Sequence, residues 1–258
     1  MVLDSIPIWA FSILVISVVL LSIEVGFRTG RRIKATMNPD SEPPIAPISG
    51  SVLGLLGFVL AFTFGIVYNR YEARKDLVGQ EANAIIRVWT RADFMSEPYR
   101  RQTVKLLKEY IRLRIVSVSA NNMIQAKSAI ARAEQIHRQL WAFAVDGAKK
   151  DGISGLAGPY ILGLNDLIDI HGRRVAIGAE DRVPFLIWFS LFILLLLGMS
   201  MIGLLTAMKN SQRSSLTNVL ALAFCMVFLV ISALDRPFSR LFKVSQQPLI
   251  YAKTIMSK

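Results

Sequence analysis

The chain has 258 residues, a formal net charge of +12, and is 53% hydrophobic against 19% charged. That balance excludes a disordered chain, a collagen-like repeat and an acidic tail, and it turns the question to where the apolar residues lie. They form four charge-free runs, 5–23, 43–69, 183–208 and 214–234, and roughly 20 helical residues cross a hydrocarbon core about 30 Å thick. The expectation is an all-α integral membrane protein with four transmembrane helices and a helical insert between the second and third. Residues 1–69 would be the first transmembrane pair, 70–182 the extramembrane insert, 183–238 the second pair and 239–258 a C-terminal tail.

In chain order, the first run has no Lys or Arg before it and no clear small-residue cleavage site after it, so a retained helix is expected rather than a secretory signal. Glu24 and Arg28, four apart at its end, suit an interfacial ion pair, and Arg31, Arg32 and Lys34 follow. After the Pro-rich stretch 38–47, the second run carries Gly50 and Gly54, a small-xxx-small pair that suits close helix approach, with Gly57 and Ala61 on a nearby face. Phe58 and Phe62 are four apart and share a helical face, which Gly54, Gly65 or Ile66, and Asn69 continue. Several copies around an axis would make aromatic rings that gate by dewetting; a single copy could equally turn this face to lipid or a neighbouring helix. Arg70, Arg74 and Lys75 come next, either a cationic pore mouth or interfacial anchors paired with Glu72 and Asp76.

The insert holds 19 Lys plus Arg against 13 Asp plus Glu. Val104, Leu107, Ile111, Ile115 and Val118 recur near the helical period, as do Ala126, Ile130, Ala133, Ile136, Leu140 and Phe143. One helix is expected to start near Ser96, Glu97 and Pro98, and another at Asn121 or Asn122. Gly152, Gly155, Gly158 and Pro159 interrupt the pattern, which resumes over 160–179. Glu81 reads as part of a helix-surface pair, and Asn165, Asp166, Asp169 and His171 as a polar cluster on a surface or subunit-interface helix. The two histidines fit no metal-binding spacing, and no phosphate loop, dinucleotide turn or nucleophile elbow occurs, so neither an enzyme nor a metal centre is expected. Cys225 is the single cysteine and lies in the fourth run, which rules out an intrachain disulfide.

Basic residues in such a chain belong at helix ends, where they set topology and meet anionic headgroups of membrane lipids; no nucleic-acid partner is expected. Arg28, Arg31, Arg32, Lys34, Lys209 and Arg213 fall on one side of the membrane, and the larger set flanking the insert and in the tail on the other. The positive-inside rule then predicts a multi-pass cell-membrane protein with insert and termini in the cytoplasm.

Residues 57–83, GFVLAFTFGIVYNRYEARKDLVGQEAN, resemble the second transmembrane helix and following turn of the bestrophin anion channels, with Phe58, Val59, Leu60, Ala61 and Phe62 in the apolar stretch and Asn69, Arg70, Tyr71, Glu72, Ala73, Arg74 and Lys75 after it. Leu234, Asp235, Arg236, Pro237 and Phe238 stand where bestrophins place an acidic residue before Pro-Phe-Gly. The combination of YEARK, EANAI, the turn at Ser96–Pro98 and LDRPFSRLF is similar to the bacterial bestrophin-like membrane family. The resemblance implies a homo-oligomer, pentameric in that family, built around the second helix as an ion channel for anions, with Phe58 and Phe62 as pore gate, Gly54, Ile66 and Asn69 lining the pore, and Arg70, Arg74 and Lys75 at its mouth. Bestrophins carry a bulky apolar residue where this chain has Gly54, so a third constricting ring is missing. Their calcium clasp needs an acidic cluster after Asp235, where this chain has Arg240 and Lys243. The rival reading is a non-conducting membrane scaffold or sensor whose helical insert binds a protein partner.

Overall fold

The computed structural model describes residues 6–37, 44–119, 123–150, 157–180, 182–209, 215–236 and 242–257. Every regular element among them is helical: α1 (Ile8–Thr36), α2 (Ile45–Arg91), α3 (Tyr99–Ser119), α4 (Met123–Lys150), α5 (Ala157–Val175), α6 (Phe185–Met208), α7 (Ser215–Asp235) and α8 (Gln247–Ile255). A 3-10 turn, Ala92–Phe94, extends α2, and a π turn, Ala176–Glu180, extends α5. Prolines mark several starts. Pro7 and Pro184 stand at the N-caps of α1 and α6, where a missing N–H costs nothing because the first-turn donors are unpaired anyway. Pro98 directly precedes α3, as the Ser96–Pro98 turn predicts, and its carbonyl accepts the Gln102 amide. The expected caps at Asn121 and Asn122 lie outside the described residues.

Four helices are long and apolar enough to cross a membrane: α1, α2 with its 3-10 extension, α6 and α7. The chain divides into two compact units, residues 1–69 with 182–242, and residues 70–181 with 243–258. In the first, α1 runs along α6. The backbones meet where side chains are absent: a methyl at Gly26 would overlap the Ser200 carbonyl, and one at Gly203 would overlap the Ile23 carbonyl. Gly30 faces Ala207 in the same way, and the Ser22 hydroxyl donates to the Leu196 carbonyl at 2.6 Å. Lipid is as apolar as leucine, so close van der Waals approach and interhelical hydrogen bonds hold membrane helices together, and small residues permit both. Gly50 and Gly54, the pair expected to do this, have open space where a side chain would be. Within the single chain the close approach belongs to Gly26, Gly30, Gly203 and Ala207 instead.

The second unit packs the later part of α2 with α3, α4, α5 and α8. The expected stripes are its core: Leu107 and Ile111 of α3, Ala133, Ile136 and Leu140 of α4, and Leu164, Leu167 and Ile170 of α5 bury against Leu77, Val78, Ile85 and Val88 of α2. Residues 243–258 contribute α8, whose Leu249 and Ala252, with Met256 just beyond, bury in the same core.

Candidate functional site

Leu56, Leu60, Thr63 and Val67 of α2 recur at spacings of four, three and four and are buried within the first unit. The opposite face of the same helix carries Phe58 and Phe62, 68% and 66% exposed, their rings stacked with centroids 6.4 Å apart. Gly54 continues this open face one turn earlier and Asn69 continues it after, while Ile66 sits at its half-buried border. The single chain therefore brings Phe58, Phe62, Gly54 and Asn69 onto one unpacked face. Arg70 and Arg74 are half-buried, and Lys75 is exposed 3.6 Å from Glu72. Lys75 thus lies within ion-pair reach of Glu72, one of the partners the sequence offered.

Asp235 closes α7 in the first unit. Its carboxylate accepts the Val183 amide and the Trp188 indole N–H, each at 3.3 Å, and so caps the start of α6. Arg236 donates to the Ile6 carbonyl at 2.9 Å and lies over the Phe11 ring. Pro237 and Arg240 fall outside the described residues; Lys243 is exposed. Among the described residues no group of three or more His, Cys, Asp or Glu side chains is placed to hold a metal ion.

The second unit contains a buried polar cluster that corrects the surface assignment of Glu81. The Glu81 side chain is fully buried in the core. Tyr110 donates its hydroxyl to Oε1 at 2.5 Å, Arg114 donates Nε to the same oxygen at 2.8 Å, and Arg174 donates to Oε2. Gln246, just before α8, accepts the other Arg174 nitrogen at 2.9 Å. Burial alone would push the Glu81 carboxyl up, but the two guanidiniums and the Tyr110 hydroxyl outweigh it and hold the carboxyl at about 2. His171 is buried too, against its expected surface placement. Its Nδ1 lies 3.1 Å from the Tyr110 hydroxyl, and its ring meets that of His137 edge-on at 4.7 Å. Burial and the Arg114 charge push His171 down to about 3; burial likewise pushes His137 down to about 4, against the field of Glu81.

A signal for this cluster was present. Tyr110 and Arg114 fall on the Leu107–Ile111 face of α3, His137 beside Ile136, and His171 and Arg174 beside Ile170. A titratable residue on a buried stripe requires a partner, and these five residues on three helices gather around Glu81 of α2.

A family model described as a bestrophin-like domain matches residues 11–249. Two variants of a bacterial bestrophin homologue from Klebsiella pneumoniae are similar in structure. One has a TM-score of 0.65 at 14% identity, covering 94% of this chain and 96% of that one. The other has a TM-score of 0.63 at 13% identity, covering 95% and 99%. No curated protein matches.

Proposed function

The chain belongs to the bestrophin-like family, and from that premise we propose that it is a non-enzymatic, oligomeric ion channel permeable to anions, its pore built around α2. Phe58 and Phe62 form the gate, Gly54, Ile66 and Asn69 line the pore, and Arg70, Arg74 and Lys75 stand at its mouth. The observation that carries this reading is the α2 face itself: two stacked phenylalanines point away from a helix whose other side is packed. An aromatic face repeated around a symmetry axis makes a narrow apolar ring, which expels water when closed and passes partly dehydrated ions when dilated. Cations on the turns after that ring raise the local concentration of anions. The pentamer of the bestrophins is the assembly proposed here. The membrane pair 1–69, the insert 70–182 and the second pair 183–238 keep their proposed roles, with 239–258 following. The protein is placed in the cell membrane among anionic lipids, with insert and termini in the cytoplasm.

Cross-linking tests the geometry. With Cys225 replaced by serine, a Phe62→Cys chain oxidised in the membrane should give disulfide-linked dimers, because neighbouring copies meet at the axis. A cysteine at Val219, exposed on α7, is the control and should remain monomeric. Monomers alone from Phe62→Cys, with the oligomer intact by size, would place that face against lipid and favour the scaffold or sensor.

A further inference from the structure

The Tyr110 hydroxyl has one hydrogen, and the 2.5 Å bond to Glu81 uses it. His171 therefore holds its hydrogen on Nδ1, facing the Tyr110 oxygen at 3.1 Å, and its Nε2 presents a bare lone pair. That Nε2 has no hydrogen-bond partner among the described residues, and neither has Nε2 of His137. The two residues are 4% and 5% exposed. The groups facing the imidazole pair are Glu81 from α2, Tyr110 and Arg114 from α3, and Arg174 from α5, whose second partner is Gln246 before α8. The one carboxylate in the cluster already serves two guanidiniums and the Tyr110 hydroxyl, and it accepts from neither Nε2.

From this geometry we infer that His137 and His171 form a proton-operated latch: the second unit stays closed while both imidazoles are neutral, and proton uptake opens the packing of α4 and α5 against α2 and α3. A proton arriving at either Nε2 would create a buried donor with no acceptor, beside Arg114 and Arg174. It is accommodated only when water reaches the ring, so acid selects the open form. The depressed values of both imidazoles in the closed form agree with this, and each then favours opening on the order of tenfold between pH 7 and pH 5. Glu81 stays ionised over that range, so the response belongs to the histidines. Nothing in this inference depends on conduction.

Hydrogen exchange of the full-length protein in detergent micelles, corrected for the intrinsic pH dependence of amide exchange, tests the latch. Between pH 7 and pH 5 amides of α4 and α5 should lose protection on the order of a hundredfold, with a pH dependence approaching two protons, while α6 and α7 keep theirs. His171→Asn keeps a donor towards Tyr110 without titrating, and His137→Leu removes the second ring; the double variant should hold its pH 7 protection at pH 5. Unchanged protection in the parent chain down to pH 4.5, or an equal loss in the folded double variant, overturns the inference. If the double variant does not fold, the parent decides alone: a loss that begins only below pH 4 belongs to carboxylates and equally overturns it.

Discussion

Glu81 is fully buried between Arg114 and Arg174, so removing its charge leaves two largely buried guanidiniums facing a neutral amide. Breaking a buried ion pair from one side costs about 3–5 kcal/mol, whereas replacing the whole group with apolar side chains can be neutral. Glu81→Gln should therefore lower the melting temperature of the detergent-solubilised protein, and adding Arg174→Met should restore part of the loss. A melting temperature unchanged by Glu81→Gln would show that the carboxylate contributes nothing. Stability should also fall in acid. The unfolded chain takes up protons at its histidines near 6.5 and at Glu81 near 4.5, while the folded chain resists them until about 4, 3 and 2. The unfolded state thus binds more protons across that range, and stability present above pH 6.5 is lost as pH descends through it. At Asp235 the carboxylate already accepts an amide and an indole N–H, and calcium needs roughly six to eight oxygens. Micromolar calcium should leave the melting temperature unchanged; a chelator-reversible shift would contradict this.

At the scale of elements, the hydrophobic runs and 3.6-residue stripes made the helices legible, because bilayer thickness and core burial both write themselves into composition. Pairing between helices was not legible. Gly50 and Gly54 have the spacing of a close-packing pair yet face open space, while Gly26 and Gly203, separated by most of the chain, carry the contact of α1 with α6. Spacing within one helix does not say which face meets which partner; that is fixed by the three-dimensional path. Gly203→Leu would drive a side chain into the Ile23 backbone, and overpacking of this kind costs about 1–3 kcal/mol, more where backbone cannot move. Gly54→Leu meets no atom within the protomer. The first should lower the melting temperature well below that of the parent, and the second should leave it within a degree or two unless that face is covered by another copy. Equal effects would contradict the assigned α1–α6 interface.

For the whole molecule, a four-helix membrane architecture of the bestrophin-like family was readable from four apolar runs and two short motifs, whereas the buried Glu81 cluster was not assembled from sequence. Its members come from α2, α3, α4 and α5, and only the tertiary packing brings them into hydrogen bonds and ring contacts with one another. The proposed orientation rests on charge: basic residues flanking the insert favour the cytoplasmic side under the positive-inside rule. With Cys225→Ser, a Lys127→Cys thiol, at an exposed position of α4, should resist a membrane-impermeant reagent in intact cells and react once they are opened. Strong labelling of intact cells would reverse the orientation.

The proposed hydrophobic gate is the Phe58 and Phe62 face of α2, and ion flux through purified protein in liposomes tests it. The comparison is between the parent chain and Phe58→Ala plus Phe62→Ala, with oligomer size measured for both so that a lost assembly is not mistaken for a lost pore. Removing the two aromatic rings lowers the dewetting barrier, so chloride flux should rise in the variant above the parent and above empty liposomes. An intact oligomer of either chain that conducts no more than empty liposomes would contradict the gate and leave the membrane scaffold or sensor as the better account.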